Sequence, residues 1–268
     1  MHIVILVAGV ADPKRPLERP ASGDWSELLS RPTTPFKMSP FDEAALEIAL
    51  KLRDADPALK LTAVVTHGCG DLPFMRAVAA YRPDRVVGLC PPAEMAGDPA
   101  WLAEHALQAA HDEEAPIDLI LMGREHGDLD DGVTPAFLAA KWKWPFLGLA
   151  QSVRAAGAST WHAERTGAMA NEIFTVTGPA VISVTNAKSN RLRHPLMKNV
   201  MLAKQLKFEI VAPGGSTDRI RLKTTAATPP ATVARGTVPC TMLQGNVQEQ
   251  ARQLAQFLVS SAAGKAHA

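Results

Sequence analysis

The chain has 268 residues, enough for one large or two small domains, and 47% of them are hydrophobic, enough for a substantial core. Its 28 basic residues nearly cancel its 27 acidic ones, which argues against a nucleic acid as the main partner, since a polyanion demands a basic face. No apolar run nears the roughly 20 residues of a membrane span, so no direct membrane insertion is expected.

The segment MHIVILVAGVADP lacks a basic leader and reads as a first strand over 3–7 rather than a signal peptide. Residues 13–38 carry five prolines and read as an excursion over the surface. A helix follows over 41–53, with Ser39 as N-cap, Pro40 in the first turn, and Asp42 three residues after the cap, where a carboxylate bonds back to the cap amide. Phe41, Ala45, Ile48, Ala49 and Leu52 give it one apolar face. Strands are then predicted over 61–66, 85–89, 119–122 and 180–185, with helices over 73–81, 100–111 and 133–141. This alternation predicts an α/β domain over 1–211, a mostly parallel sheet with helices on both faces. Residues 212–239 are rich in Thr, Pro, Gly and Ala and read as an extended arm. The arm leads to an amphipathic helix over 248–260 with Leu254, Phe257 and Leu258 on one side. That 212–268 segment either closes its own domain or packs on a partner subunit.

The stretch 118–145 is the most informative. A buried-strand run, Leu119 to Met122, stops at Gly123. A loop follows that holds Asp128, Asp130, Asp131 and Gly132, and the next helix starts at Val133 and Thr134. Three readings stand side by side. The backbone N–H groups of the helix start hold a phosphate; the three Asp hold Mg²⁺; or the loop is a solvated connection. No GxxxxGK[ST] lysine is present, which removes the strong kinase or ATPase signal. The pair His67 and Cys69 lacks a placed third member for nucleophilic chemistry. His105 and His111 are six apart and do not share a helix face, so no metal pair follows. Trp142 and Trp144 read as core or interface aromatics ahead of a cofactor-stacking role. Cys69, Cys90 and Cys240 are odd in number and far apart, with no CxxC. They suggest reduced thiols in a cytoplasmic protein and no metal framework.

Three segments together resemble the β subunit of electron-transfer flavoproteins. They are Ser39-Pro40-Phe41-Asp42-Glu43; Gly123-Arg124 with Asp128, Asp130, Thr134 and Trp144-Pro145; and Pro179 to Ser183 followed by Asn190, Arg193, Asn199, Met201 and Lys204. The resemblance covers about residues 1–211 and implies an adenine-nucleotide-hydrolase-like fold. It implies pairing with an α subunit that holds most of an FAD, and electron transfer from a flavoprotein dehydrogenase to an acceptor, with a membrane-bound quinone oxidoreductase expected in that role. It also implies a structural AMP, or a second FAD in the bifurcating branch. That nucleotide would be lined by Leu6, Ser39, Pro40, Phe41, Asp42, Thr66, Gly123, Arg124, Asp128, Asp130, Asp131, Gly132, Val133 and Thr134. The backbone of Gly132 to Thr134 would face phosphate. Partner recognition would fall on Ser189, Asn190, Arg191, Leu192 and Arg193, within a basic patch that continues through Lys198, Lys204 and Lys207.

The chain also departs from the family pattern. Ala8-Gly9 replaces Lys-Arg, Leu6 replaces a small residue, and Ala168-Met169-Ala170 replaces an acidic Asp-Gly-Gly stretch of which Glu172 remains. The family's anchoring Leu falls at Ser189 or Leu192. No residue is assigned as acid, base or nucleophile, and no metal site is expected. A stand-alone adenine-nucleotide sensor and a Mg²⁺-dependent nucleotide hydrolase are the readings from other classes.

Overall fold

A computed structural model describes residues 1–15, 34–92, 95–213 and 242–265. The first unit, Met1–Asp218, is built on a sheet of seven parallel strands in the order β12-β5-β4-β1-β6-β11-β7. The strands are β1 His2–Val7, β4 Lys60–Val65, β5 Arg85–Leu89, β6 Leu119–Gly123, β7 Phe146–Ala150, β11 Ala180–Val184 and β12 Glu209–Val211. A two-stranded ribbon, β2 Val10–Ala11 with β3 Phe36–Lys37, follows the first strand. The helices of this unit are α1 Pro40–Ala55, α2 Leu72–Ala79, α3 Pro99–Ala110, α4 Thr134–Trp142 and α5 Met197–Ala203.

Why β1 reads as an unbroken apolar run is clear from its neighbours: it is buried on both faces. Ile3, Ile5 and Val7 pack with α1 and α2, whereas Val4 and Leu6 pack with α3 and α4. Helices therefore cover both faces of the sheet, as the sequence alternation predicts. The five strands and four helices expected up to residue 185 all occur, with ends moved by one or two residues.

Elements with weaker signals appear only in the structure. Between β7 and β11 the chain makes a three-stranded antiparallel sheet of β8 Ser152–Gly157, β9 Thr160–Thr166 and β10 Asn171–Thr177. It buries Val153, Trp161, Ala163 and Val176 against the α1 side of the core and leaves its other face in solvent. The expectation of three reduced thiols is corrected here: Cys69 and Cys90 form a disulfide with Cα atoms 5.7 Å apart. The reason is topological. β4 and β5 are neighbours with Val65 opposite Gly88, so residues just past both strand ends meet although they are 21 apart in sequence.

Most of the predicted surface excursion (16–33) and of the arm (214–241) lies outside the described residues, as does Cys240. In the second unit, Arg219–Ala268, a helix α6 spans Val247–Lys265. It begins with a reciprocal cap in which the Glu249 N–H donates to Asn246 Oδ1 at 3.0 Å and the Asn246 N–H donates to Glu249 Oε2 at 2.9 Å. Leu254, Phe257 and Leu258 are exposed on it.

Candidate nucleotide and partner site

In open α/β sheets the ligand crevice forms beyond the strand C-termini where the strand order reverses. Here the chain runs outward from β1 through β4 to β5 and then returns to β6 on the other side of β1. The reversal thus lies between β1 and β6, above Ala8-Gly9 and Gly123.

Asp42 organises the β1 side. Its buried carboxylate accepts the N–H groups of Ala8 at 3.2 Å, Gly9 at 3.1 Å and Ser39 at 3.0 Å, while the Asp42 N–H donates to the Ser39 hydroxyl at 3.0 Å. The expected capping box is present, and the same carboxylate stitches the end of β1 to the start of α1. Burial pushes the Asp42 carboxyl upward, opposed by its bonds from Ser39, Gly9 and Ala8. Phe41 closes on the β6 side: a Cβ on Gly123 would come within 2.7 Å of the Phe41 Cβ. The Arg124 guanidinium lies 5.6 Å from the Phe41 ring centre and pairs with Glu125 at 2.8 Å.

The loop after β6 is held by its own acids. Asp130 Oδ1 accepts the N–H groups of Gly132 at 3.1 Å, Val133 at 2.9 Å and Thr134 at 3.1 Å, and Oδ2 accepts the His126 N–H at 2.8 Å. Asp128 accepts the Ala11 N–H at 2.8 Å, and Asp131 is exposed. Among the described residues no three acid, His or Cys side chains converge to hold a metal ion. The amides expected to face phosphate are thus already bonded to a carboxylate, and the described residues do not fit a nucleotide phosphate as they are arranged.

Two imidazoles lie beside this crevice, His126 from the loop expected to line it and His67, which the sequence did not assign to it. His126 Nε2 meets Thr66 Oγ1 at 2.9 Å, and the His67 ring stands 5.9 Å from the His126 ring, centre to centre. Gly127, at φ +85°, passes so close that a Cβ there would lie 2.5 Å from His67 Nδ1 and 3.4 Å from the Ala8 Cβ. Burial lowers the pKa of His67 to about 4. Burial also lowers that of His126, to about 3, with the neighbouring His67 adding to the effect. Thr66, His67, His126 and Thr134 line, with Trp101 and Asp98, a cavity of about 20 Å³. Leu6 is fully buried between Val64 and Met122.

The expected recognition segment stands apart from this crevice. Its base is fixed to α1: the Arg193 guanidinium donates to Glu47 at 3.0 Å and to Asp54 at 2.6 Å, and its N–H to Glu47 at 3.1 Å. The two carboxylates, Glu47 foremost, hold the Arg193 pKa above its ordinary value. Asn190 is buried and donates to Gln151 O at 2.7 Å, and Lys51 donates to Ser189 O. Ser189 and Arg191 are exposed, whereas Leu192 packs against the core and is not a free anchor.

The model of the electron transfer flavoprotein domain matches residues 29–214, more than half of the chain. The chain belongs to the electron-transfer flavoprotein β-subunit family. It is 28% identical over 233 residues to the electron transfer flavoprotein subunit beta of Bradyrhizobium diazoefficiens, covering 86% of this chain and 90% of that one. It is 28% identical to the human subunit beta over 179 residues (66% and 69%) and 28% identical to that of Syntrophomonas wolfei over 186 residues (69% and 71%).

Within this electron-transfer flavoprotein family member, the other sequence motifs have structural places. Cys69 is spent in the disulfide and is no nucleophile. His105 packs on Trp101. Trp142 joins α4 to α3 through a bond from Nε1 to Ala103 O at 2.7 Å, with Trp144 packed on it.

Sequence reasoning quoted Met201 in the resemblance but missed Leu196 and Met197, the other residues of the apolar tip past Arg193. Leu196, Met197 and Met201 are exposed beside Arg191 and Lys198. A groove of about 490 Å³ runs next to them between α2 and α5, lined by Met38, Pro73, Arg76, Tyr81, Pro195 and Val200. The hint was present as three large apolar residues inside a basic, proline-containing stretch, but nothing in the sequence said which of them face outward.

Proposed function

We propose that the chain is the β subunit of a heterodimeric electron-transfer flavoprotein, paired with an α subunit that holds most of one FAD. The observation that carries this reading is the family match over 29–214. When bound, the flavin supplies one-electron transfer. Electrons pass from a flavoprotein dehydrogenase toward a membrane-bound quinone oxidoreductase, and this chain contributes docking and positioning without bond-making chemistry. Leu196, Met197 and Met201, rimmed by Arg191 and Lys198, suit a partner with an apolar pocket and an acidic rim. The tether of Arg193 to Glu47 and Asp54 supports this assignment because it keeps the segment pre-organised.

The C-terminal unit fits the same reading. We assign α6, with Leu254, Phe257 and Leu258 exposed, as a helix that packs on the α subunit. No helix among the described residues is long and apolar enough to cross a membrane. The AMP or second FAD that the family resemblance implies would have to use the crevice between β1 and β6, and the residues present there do not fit it as they stand.

Co-expression with an α-like subunit tests the reading. The expected product is a yellow heterodimer with about one flavin. A colourless, stable monomer that ignores the α subunit and binds AMP would sink it in favour of a nucleotide sensor.

A further inference from the structure

Three consecutive backbone N–H groups at the start of a helix form an anion cradle, strengthened by the helix dipole. In this chain the cradle of Gly132, Val133 and Thr134 is pointed at one atom, Asp130 Oδ1, at 2.9–3.1 Å. The second oxygen of the same carboxylate takes the His126 N–H at 2.8 Å. One side chain therefore collects four main-chain donors of the loop and brings a negative charge to the place where a phosphate would bring its own. An incoming phosphate meets those three donors already engaged and is repelled by the charge in residence.

The room beneath is filled in the same self-contained way. His126 and Thr66 bond to each other at 2.9 Å, and Gly127 lies in contact range of His67 and Ala8. The cavity that these residues line with Trp101 measures about 20 Å³. That admits a single water, whereas nucleotide and cofactor pockets occupy roughly 300–1,000 Å³. His126 Nδ1 and Trp101 Nε1 are buried without a partner in the protein, and both residues line this cavity. One ordered water suits that cavity, which Thr66 and Thr134 line but Ser39 to Asp42, Gly123 and Arg124 do not, and an adenine ring does not fit in it.

We propose that this crevice is closed by the chain's own side chains, with the Asp130 carboxylate in the phosphate position and His126 packed on Thr66, so that the subunit carries neither AMP nor a second FAD. The inference rests on reading the chain as a β subunit and concerns that subunit's internal site alone. The loop to which the family resemblance assigns a nucleotide would here be a structural brace.

The test uses the full-length chain co-purified with its α subunit. Nucleotides released by acid are identified by mass spectrometry, and the expected result is FAD without AMP. AMP or extra FAD recovered in stoichiometric amount overturns the inference. In parallel, AMP and inorganic phosphate are titrated while thermal unfolding is followed. The wild-type midpoint is expected to stay fixed, and its rise with AMP overturns the inference. Asp130→Ala frees the three amides, so phosphate is expected to raise the midpoint of that variant but not of Asp130→Asn, which keeps an acceptor oxygen in place. No gain in Asp130→Ala removes Asp130 from the role assigned to it, and should that variant fail to fold, the wild-type nucleotide content still decides. A complex without flavin, or no complex at all, defeats the β-subunit reading and leaves the AMP measurement on the chain alone to judge the closed crevice.

Discussion

His67 and His126 are neutral where an ordinary histidine would be half-charged, and that has a sign. Their unfolded pKa is near 6.5, and burial lowers the folded values to about 4 and about 3. Below pH 6.5 the unfolded chain therefore binds more protons than the native one, so stability present above 6.5 is lost as pH falls toward 4. Each imidazole contributes a slope of up to about 1.4 kcal/mol per pH unit in that window. The groups facing the pair are Thr66, the Asp98 that lines the same cavity, and Asp130 on the His126 amide. Urea midpoints measured between pH 7.5 and 5 are expected to fall, and less steeply in His126→Gln; a flat wild-type profile would contradict the buried neutral pair. Arg193 poses a different problem. Its partner Glu47 has a side chain only 6% exposed, whereas Arg193 itself is 40% exposed. Arg193→Ala should cost about 2 kcal/mol, mostly by leaving that carboxylate short of donors. Arg193→Lys should recover only part of the loss, because a lysine cannot reproduce the forked contact with Glu47 and Asp54. Equilibrium unfolding in urea measures both variants.

Among the elements, α1 was the most legible. Ser39, Pro40 and Asp42 announce its start, and the apolar spacing from Phe41 to Leu52 sets the face it buries. Ser39→Ala should lower stability by about 1 kcal/mol, the ordinary worth of a cap. Asp42→Ala should cost more, about 3 kcal/mol, since it strands the buried amides of Ala8 and Gly9 as well as that of Ser39; chemical denaturation separates the two variants. The parallel strands were equally readable because burial on both faces makes them continuous apolar runs. β8, β9 and β10 were not, because one face lies in solvent and apolar residues stand on exposed positions there, Ala155 and Ala156 in β8 and Ile173 in β10, so alternation does not mark the buried side. The site divides along the same line. The grouping of Ser39 to Asp42, Thr66 and the 123–134 loop came from the family resemblance, and only the strand-to-helix character of the loop was legible from the residues themselves. That Asp130 would turn back onto the amides of its own loop was not, since the same composition serves a phosphate, a metal or a cap equally well.

At the scale of the molecule, the proposed function would give the apolar tip and α6 separable duties. Met197→Asp should slow reaction with a dehydrogenase while leaving the flavin content and thermal midpoint of the heterodimer unchanged, read by stopped-flow flavin absorbance. Ending the chain after residue 213 should preserve the urea transition of the α/β unit and abolish co-purification with the α subunit. The order of strands has one more consequence, for assembly in time. Among the described residues β7 bonds to the sheet only through β11, which enters between it and β6, with Val181 opposite Phe146. The three-stranded sheet is made in the interval, and the far edge waits longer still for β12 to cover β5. As the chain leaves the ribosome, everything from Phe146 onward must therefore remain unpaired with the main sheet until residue 184 has emerged. That places a slow, non-local closure late in synthesis, after the crevice between β1 and β6 has all its parts.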